Sequence, residues 1–164
     1  VTLAVGSLFA GIGGFDLGLE RTGHFEVKWQ VEIDPWCRRV LEKHWPTVRR
    51  WDDVTTFPPD TSGTGRIEGS GKQGNEKGEG IGRRESERGA ETLEWAVDVI
   101  CGGFPCQDIS LAGSGAGING TRSGLWWEML RIIREIRPPF VILENVSALL
   151  TRGLGDVLGG LAQS

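Results

Sequence analysis

Apolar positions fall into two dense blocks separated by a stretch with almost none. Residues 2–9 form a nearly continuous apolar run and predict a buried strand. Phe15, Leu17 and Leu19 follow a glycine cluster and predict a helix from about Gly14 that stops near Gly23. Residues 25–33 alternate apolar with polar and predict a second strand. Asp34-Pro35 then opens a helix, with Asp as N-cap and Pro in the first turn; its expected apolar face is Cys37, Val40, Leu41 and His44. A short third strand is expected at 48–51 and a fourth at 96–101. Leu125, Met129, Ile132, Ile133 and Ile136 mark one face of a helix. Residues 140–143, entered through Pro138-Pro139, predict a fifth strand, and a further helix is expected near Asp156. Strands alternating with helices imply parallel pairing with right-handed crossovers, that is, an α/β doubly wound, mainly parallel sheet.

The intervening stretch, residues 60–91, holds no aromatic and few aliphatics, and mixes Gly with Glu, Arg, Lys and Ser, as in Gly69-Ser70-Gly71-Lys72. Such a segment cannot offset its own ordering entropy and reads as a flexible surface insert within one domain spanning residues 1–164.

Composition narrows the function classes. The net charge is −4 and the pI about 5.3, so the chain lacks the basic footprint of a protein that tracks phosphates by charge alone. If a nucleic acid is the substrate, another part of the protein is expected to supply much of the grip. Three cysteines and two histidines support neither a disulfide framework nor a metal cluster, and suggest a reducing cytoplasm. No apolar run reaches the roughly 18 residues of a membrane span, so no membrane partner is expected.

In doubly wound sheets ligands bind outside the carboxyl ends of the strands. Each predicted strand carries chemistry there. After the first comes Phe9-Ala10-Gly11-Ile12-Gly13-Gly14; after the second, Glu32 and Asp34; after the third, Asp52 and Asp53; after the fourth, Gly102-Gly103-Phe104-Pro105-Cys106-Gln107; after the fifth, Glu144 and Asn145. The glycines either make a tight strand-to-helix turn or let backbone approach a ligand closely. The spacing is not Gly-x-Gly-x-x-Gly, because Asp16 stands at the third position, and no Lys-Ser/Thr follows, which disfavours a nucleoside triphosphate. Glu32 is either a solvated strand-end carboxylate or an acceptor for a ribose diol, and Asp53 is likewise either a solvated carboxylate or an acceptor for an adenine amine. Arg122 reads equally as a phosphate anchor or a surface arginine.

Among the cysteines, Cys101 lies within an apolar strand and Cys37 on an apolar helix face, so both read as buried small hydrophobes. Cys106 instead follows Pro105 in a glycine-rich turn beyond a strand, where a thiolate nucleophile is better placed. Glu144, one strand over, is positioned to give a proton or hydrogen bond to a substrate held by that sulfur.

These residues resemble a known family. Ser7-Leu8-Phe9-Ala10-Gly11-Ile12-Gly13-Gly14, Gly103-Phe104-Pro105-Cys106-Gln107 and Glu144-Asn145-Val146 resemble, in order, the cofactor, catalytic and acidic motifs of the DNA cytosine-5 methyltransferases. Arg122-Ser123-Gly124-Leu125-Trp126 resembles a further motif of that family. The resemblance implies a Rossmann-like methyltransferase fold that binds S-adenosyl-L-methionine. It implies Cys106 as the nucleophile that adds to C6 of a cytosine flipped from double-stranded DNA, with Glu144 bonding the ring. Phe9, Ala10, Gly11, Gly13, Gly14, Glu32, Ile33, Asp53, Val54, Phe104 and Leu125 would line the cofactor. Pro105, Gln107, Ser110, Arg122, Asn145 and Val146 would meet the substrate.

By the same resemblance the chain is expected to be the N-terminal portion of the catalytic domain. The target-recognition domain would lie in a missing continuation or in a complementary C-terminal subunit. A cytoplasmic, nucleoid-associated bacterial, archaeal or phage enzyme of a restriction–modification system is the expected setting. An RNA cytosine-5 methyltransferase and a non-catalytic cofactor-binding remnant are the alternatives.

Overall fold

The computed structural model describes residues 1–59, 94–105 and 125–163. The elements in chain order are strand β1 (Leu3–Leu8), helix α1 (Gly14–Glu20), β2 (Phe25–Val31), α2 (Pro35–His44), β3 (Arg49–Trp51) and a single 3-10 turn (Val54–Thr56). There follow β4 (Val99–Gly102), α3 (Leu125–Ile136), β5 (Phe140–Leu143), α4 (Leu149–Arg152) and α5 (Leu154–Leu161). The strands form one sheet in the order β3-β2-β1-β4-β5, with every neighbouring pair parallel. The chain starts at the central strand, winds outward to β3, then returns to β4 on the other side. The expected doubly wound architecture is therefore present, with its switch point between β1 and β4. The insert expected at 60–91 lies outside the described residues.

Two apolar layers cover the sheet. On one face Val5, Val27, Val99 and Cys101 pack with Phe15 and Leu19 of α1. On the other, Leu8, Trp29, Val31 and Ile100 pack with Trp126, Met129, Ile132, Ile133 and Ile136 of α3, a full apolar side of that helix. Strand alternation alone would put Val27 and Trp29 on the same face. They lie on opposite faces because the pairing of β1 with β2 slips between Val5↔Val27 and Gly6↔Trp29, leaving Lys28 as an extra residue. Gly6 accepts this arrangement because any β-carbon there would collide with the Trp29 indole. The indole N–H donates to Trp95 O at 3.0 Å, and Phe57 packs against both tryptophans, tilted to Trp29 at 4.7 Å and edge-on to Trp95 at 5.0 Å.

Two strand boundaries and one helix face differ most from expectation. Strand β4 starts at Val99, not at residue 96. The Asp98 carboxylate accepts from Ala4 N at 2.7 Å, and Asp98 N donates to Ala4 O at 2.9 Å, so a side chain replaces one rung of the ladder. Strand β2 stops at Val31, and Ile33 is 74% exposed. On α2, Leu41 is buried and Cys37 and Val40 half-buried, but His44 is exposed. Trp45, just past the helix end, turns inward instead and donates to Glu20 Oε2 at 2.8 Å. No helix among the described residues is long and apolar enough to cross a membrane.

Candidate functional site

One register row crosses the whole sheet. Trp51 pairs with Val31, Val31 with Leu8, Leu8 with Gly102, and Gly102 with Leu143. The residue after each is Asp52, Glu32, Phe9, Gly103 and Glu144. Adjacent strands lie about 4.8 Å apart, so the glycine turn, the β4 end and the β5 end are immediate neighbours along one edge. The slip at Lys28 contributes here. Were β2 paired without the slip, Leu8 would face Gln30, and Glu32 would sit one step beyond the row.

The turn after β1 is built by backbone conformations that favour glycine. Gly11 has φ 56° and Gly13 φ 86°, while Phe9 adopts φ 54° despite its side chain. A non-glycine residue there carries strain of roughly 1–3 kcal/mol, and it redirects the chain so that Ala10 N donates to Val31 O at 3.1 Å. At Gly13 a β-carbon would strike Trp45, whereas at Gly11 and Gly14 it would meet open space. The turn thus packs tightly on its inner side and leaves bare backbone on its outer side.

Glu32 ties this turn to the next one. Its Oε2 accepts from Gly11 N at 2.7 Å and its Oε1 from Asp34 N at 2.8 Å. Each carboxylate oxygen carries a second lone pair able to accept a hydroxyl. Asp34 caps α2, accepting from Trp36 N and Cys37 N at 2.7 and 2.9 Å, and those bonds hold its carboxyl below the usual range. Asp53 caps the 3-10 turn: Oδ1 accepts from Thr55 Oγ1 at 2.7 Å and Thr55 N at 2.9 Å, which lowers its pKa. Val54 is buried beneath the turn.

On the other side of β1, Gly102 lies so close to β1 that a β-carbon would strike Leu8 O. The exposed Glu144 carboxylate lies over Gly103, its Oε2 just 2.6 Å from where a β-carbon would stand. Glu144 N donates to Gly102 O at 3.1 Å, and Asn145 Nδ2 donates to Phe104 O at 3.1 Å. Asn145 therefore clasps the turn that leads through Pro105, a role its sequence position did not reveal. Phe104 is 3% exposed and its ring lies 5.3 Å from that of Trp126 in the core. Leu125 begins α3 half-buried against the same core, Ile33 is open, and Val146 is 43% exposed. Cys106, Gln107, Ser110 and Arg122 lie outside the described residues.

The two described cysteines are poor nucleophiles. Burial, then the nearby Asp16 charge, pushes the Cys101 thiol up to about 12. Burial, followed by the charges of Glu32 and Asp34, raises Cys37. Both stay protonated thiols near neutral pH.

Asp16, missed by motif reading, is fully buried in the first turn of α1 and accepts from Gln30 Nε2 at 3.3 Å. Gln30 Oε1 in turn accepts from Arg50 at 3.2 Å. Desolvation pushes the Asp16 carboxyl from 3.8 up to about 6; hydrogen bonds from Ser7 and Gln30 offset part of this and the Glu20 charge adds to it. The folded chain therefore binds this proton more tightly than the unfolded one. The stability it contributes is complete below pH 3.8 and is lost as pH rises through about 6. Asp16→Asn is expected to stabilise the protein by up to roughly 3 kcal/mol above pH 7 and by little near pH 4. Thermal unfolding at the two pH values checks this; an equal gain at both would contradict it.

The family model for C-5 cytosine-specific DNA methylases matches residues 3–67 and 73–164. The chain is 32% identical over 163 residues to the type II methyltransferase M2.BsuMI of Bacillus subtilis, covering 97% of this chain and 33% of that protein. It is 36% identical over 145 residues to M.AluI of Cellulosimicrobium cellulans, covering 87% of this chain and 22% of that protein. Among solved structures, it superposes on a putative DNA modification methyltransferase encoded within a prophage (E. coli) with TM-score 0.62 and 24% identity, covering 96% of this chain and 36% of the other. It superposes on a DNMT2 mutant of Spodoptera frugiperda with TM-score 0.64 and 16% identity, covering 98% and 41%. At those identities the likeness concerns the fold. The chain spans between 22% and 52% of the length of such curated relatives.

Proposed function

Because the chain belongs to the C-5 cytosine-specific DNA methylase family, we propose that it forms the cofactor-binding and nucleophile-bearing part of a DNA (cytosine-5-)-methyltransferase. The observation that carries the reading is the register row, which sets the Glu144 carboxylate over Gly103 beside the glycine turn. Cys106 follows Gly103 by three residues, a reach of at most about 11 Å.

The residues at the β1, β2 and β3 ends fit S-adenosyl-L-methionine. Bare backbone at Gly11 and Gly14 admits close approach, Glu32 keeps acceptor capacity for ribose hydroxyls, and Asp53 offers a carboxylate to the adenine amine. When bound, this cofactor supplies an electrophilic methyl group. Phe9 and Val54 would border its adenine, and Leu125 and Phe104 the far wall.

The chain's own residues prepare the acceptor. Cytosine C5 is a weak nucleophile. The Cys106 thiolate forms a bond to C6, and the displaced electron pair makes C5 enamine-like. Glu144, hydrogen-bonded to the ring at N3 and the exocyclic amine, stabilises the addition. After C5 is methylated, loss of its proton to a base and cleavage of the S–C6 bond return the thiolate and restore aromaticity. Pro105, Gln107, Ser110, Asn145, Val146 and Arg122 would border the flipped nucleotide.

Double-stranded DNA is the proposed partner. With net charge −4, this part would leave most phosphate contact and all sequence reading to the portion that the longer relatives carry, in one polypeptide or a complementary subunit. The setting proposed is the cytoplasm, at the nucleoid.

The protein in its natural full length is expected to transfer labelled methyl from S-adenosyl-L-methionine to cytosine in duplex DNA. Transfer to tRNA in preference to duplex DNA would favour an RNA substrate, and cofactor binding without transfer to either would favour a non-catalytic role. Asp53→Ala is expected to weaken binding of S-adenosyl-L-homocysteine about tenfold, the order expected for losing one hydrogen bond to a charged acceptor. Calorimetry with unchanged affinity would place the adenine elsewhere.

A further inference from the structure

Asp53 follows β3, the outermost strand on its side of the sheet, and is mounted on a lone 3-10 turn. That turn is fastened from a helix 77 residues away in sequence. Arg131, on α3, donates from Nη2 to Val54 O at 3.1 Å and to Phe57 O at 2.6 Å. Its other donors are splinted along α3: Nε donates to Glu128 Oε2 at 2.9 Å, and Nη1 to Glu135 Oε2 at 3.2 Å. These partners stand at i−3 and i+4, so they flank the guanidinium on one helix face. Of the turn's own closing bonds, Thr56 N donates to Asp53 O at 3.1 Å, and the second, Phe57 N to Val54 O, at the end Arg131 grips, is long at 3.4 Å. A planar fork with directed donors suits a two-carbonyl clamp; a lysine ammonium lacks that geometry.

We propose that Arg131 is a positioning residue for the adenine end of the methyl donor: by bridging the carbonyls of Val54 and Phe57 to α3, it holds the turn that presents the Asp53 carboxylate. This rests on the reading of Asp53 as the adenine partner. Arg131 itself touches neither cofactor nor base. It acts by keeping the loop after β3 at a set height above the sheet edge, so its loss lowers cofactor affinity rather than the rate of the methylation step.

The test uses the full-length protein, with Arg131→Met, Arg131→Lys, Asp53→Ala and the Asp53→Ala/Arg131→Met double variant. Calorimetry with S-adenosyl-L-homocysteine gives Kd, and hydrogen exchange reports the amides of Thr55, Thr56 and Phe57. Arg131→Met is expected to weaken binding about tenfold and to speed exchange at those three amides by a similar factor, with Arg131→Lys in between. The double variant is expected to bind no more weakly than Asp53→Ala alone. Should Arg131→Met fail to fold, Arg131→Lys carries the same comparisons. If Asp53→Ala weakens binding while the Arg131 variants bind as wild type, or if the two losses add in full, the clamp proposal is overturned and the Asp53 reading stands. If Asp53→Ala itself leaves affinity unchanged, both are overturned.

Discussion

Cys106→Ser is expected to reduce methyl transfer by about 10⁴-fold or more while changing cofactor affinity less than twofold. A serine hydroxyl is almost fully protonated at neutral pH and adds to C6 far more slowly than a thiolate. The two described cysteines cannot substitute. The Cys101 thiol lies at 0% exposure with its pKa pushed up to about 12, and Cys37 is half-buried on α2 with its pKa raised. Single-turnover transfer to duplex DNA, paired with calorimetry on S-adenosyl-L-homocysteine, separates the two quantities. Retention of more than a tenth of the rate would remove Cys106 from the nucleophile's role.

Glu144→Gln is expected to lower kcat by roughly 10²- to 10³-fold, again with cofactor affinity nearly intact. Glutamine keeps the shape of the side chain over Gly103 and can still hydrogen-bond a ring. It cannot deliver a proton toward N3 as negative charge builds there. The loss is therefore concentrated in the step after substrate binding, and KM for DNA is expected to move little. The fold tolerates the change because Glu144 is exposed and its strand is anchored by backbone, through Glu144 N to Gly102 O, and by Asn145 to Phe104 O. A matching loss of thermal stability would instead indicate a structural role.

Most of the sheet is legible in the sequence because its signals are local. Strands β1, β2 and β4 bury apolar residues, β5 is an apolar run that is only partly covered, and the polar residues at the strand ends stand out against them. Asp34-Pro35 marks the start of α2 through its own capping chemistry, and the capping bonds are present. Legibility fails where a distant partner decides the outcome. Nothing in 25–33 signals the slip at Lys28, because it depends on Gly6 of β1 making room for Trp29. Strand β4 starts late because Asp98 meets Ala4, 94 residues earlier in the chain. His44 has the right helical spacing for burial, yet it is Trp45 that turns inward, half-buried, because Glu20 and Gly13 shape a slot for its indole.

The candidate site divides along the same line. Glycine turns and strand-end carboxylates are recognisable as residue types in order. The supports that fix them come from elsewhere: the Phe9 backbone at φ 54°, the Asn145 clasp on Phe104, and the Arg131 fork on the loop after Asp53. Phe104 illustrates the ambiguity of an aromatic in a motif. The same position serves the core beside Trp126 and the wall of the proposed cleft.

Covalent capture bears most directly on the whole account. The full-length protein, given S-adenosyl-L-methionine and duplex DNA with 5-fluorocytosine at its target position, cannot remove a C5 proton and is predicted to stall as a stable protein–DNA adduct. Peptide mass spectrometry is predicted to place the modified base on Cys106. An adduct on any other residue, or none under conditions where unmodified DNA is methylated, would contradict the assignment.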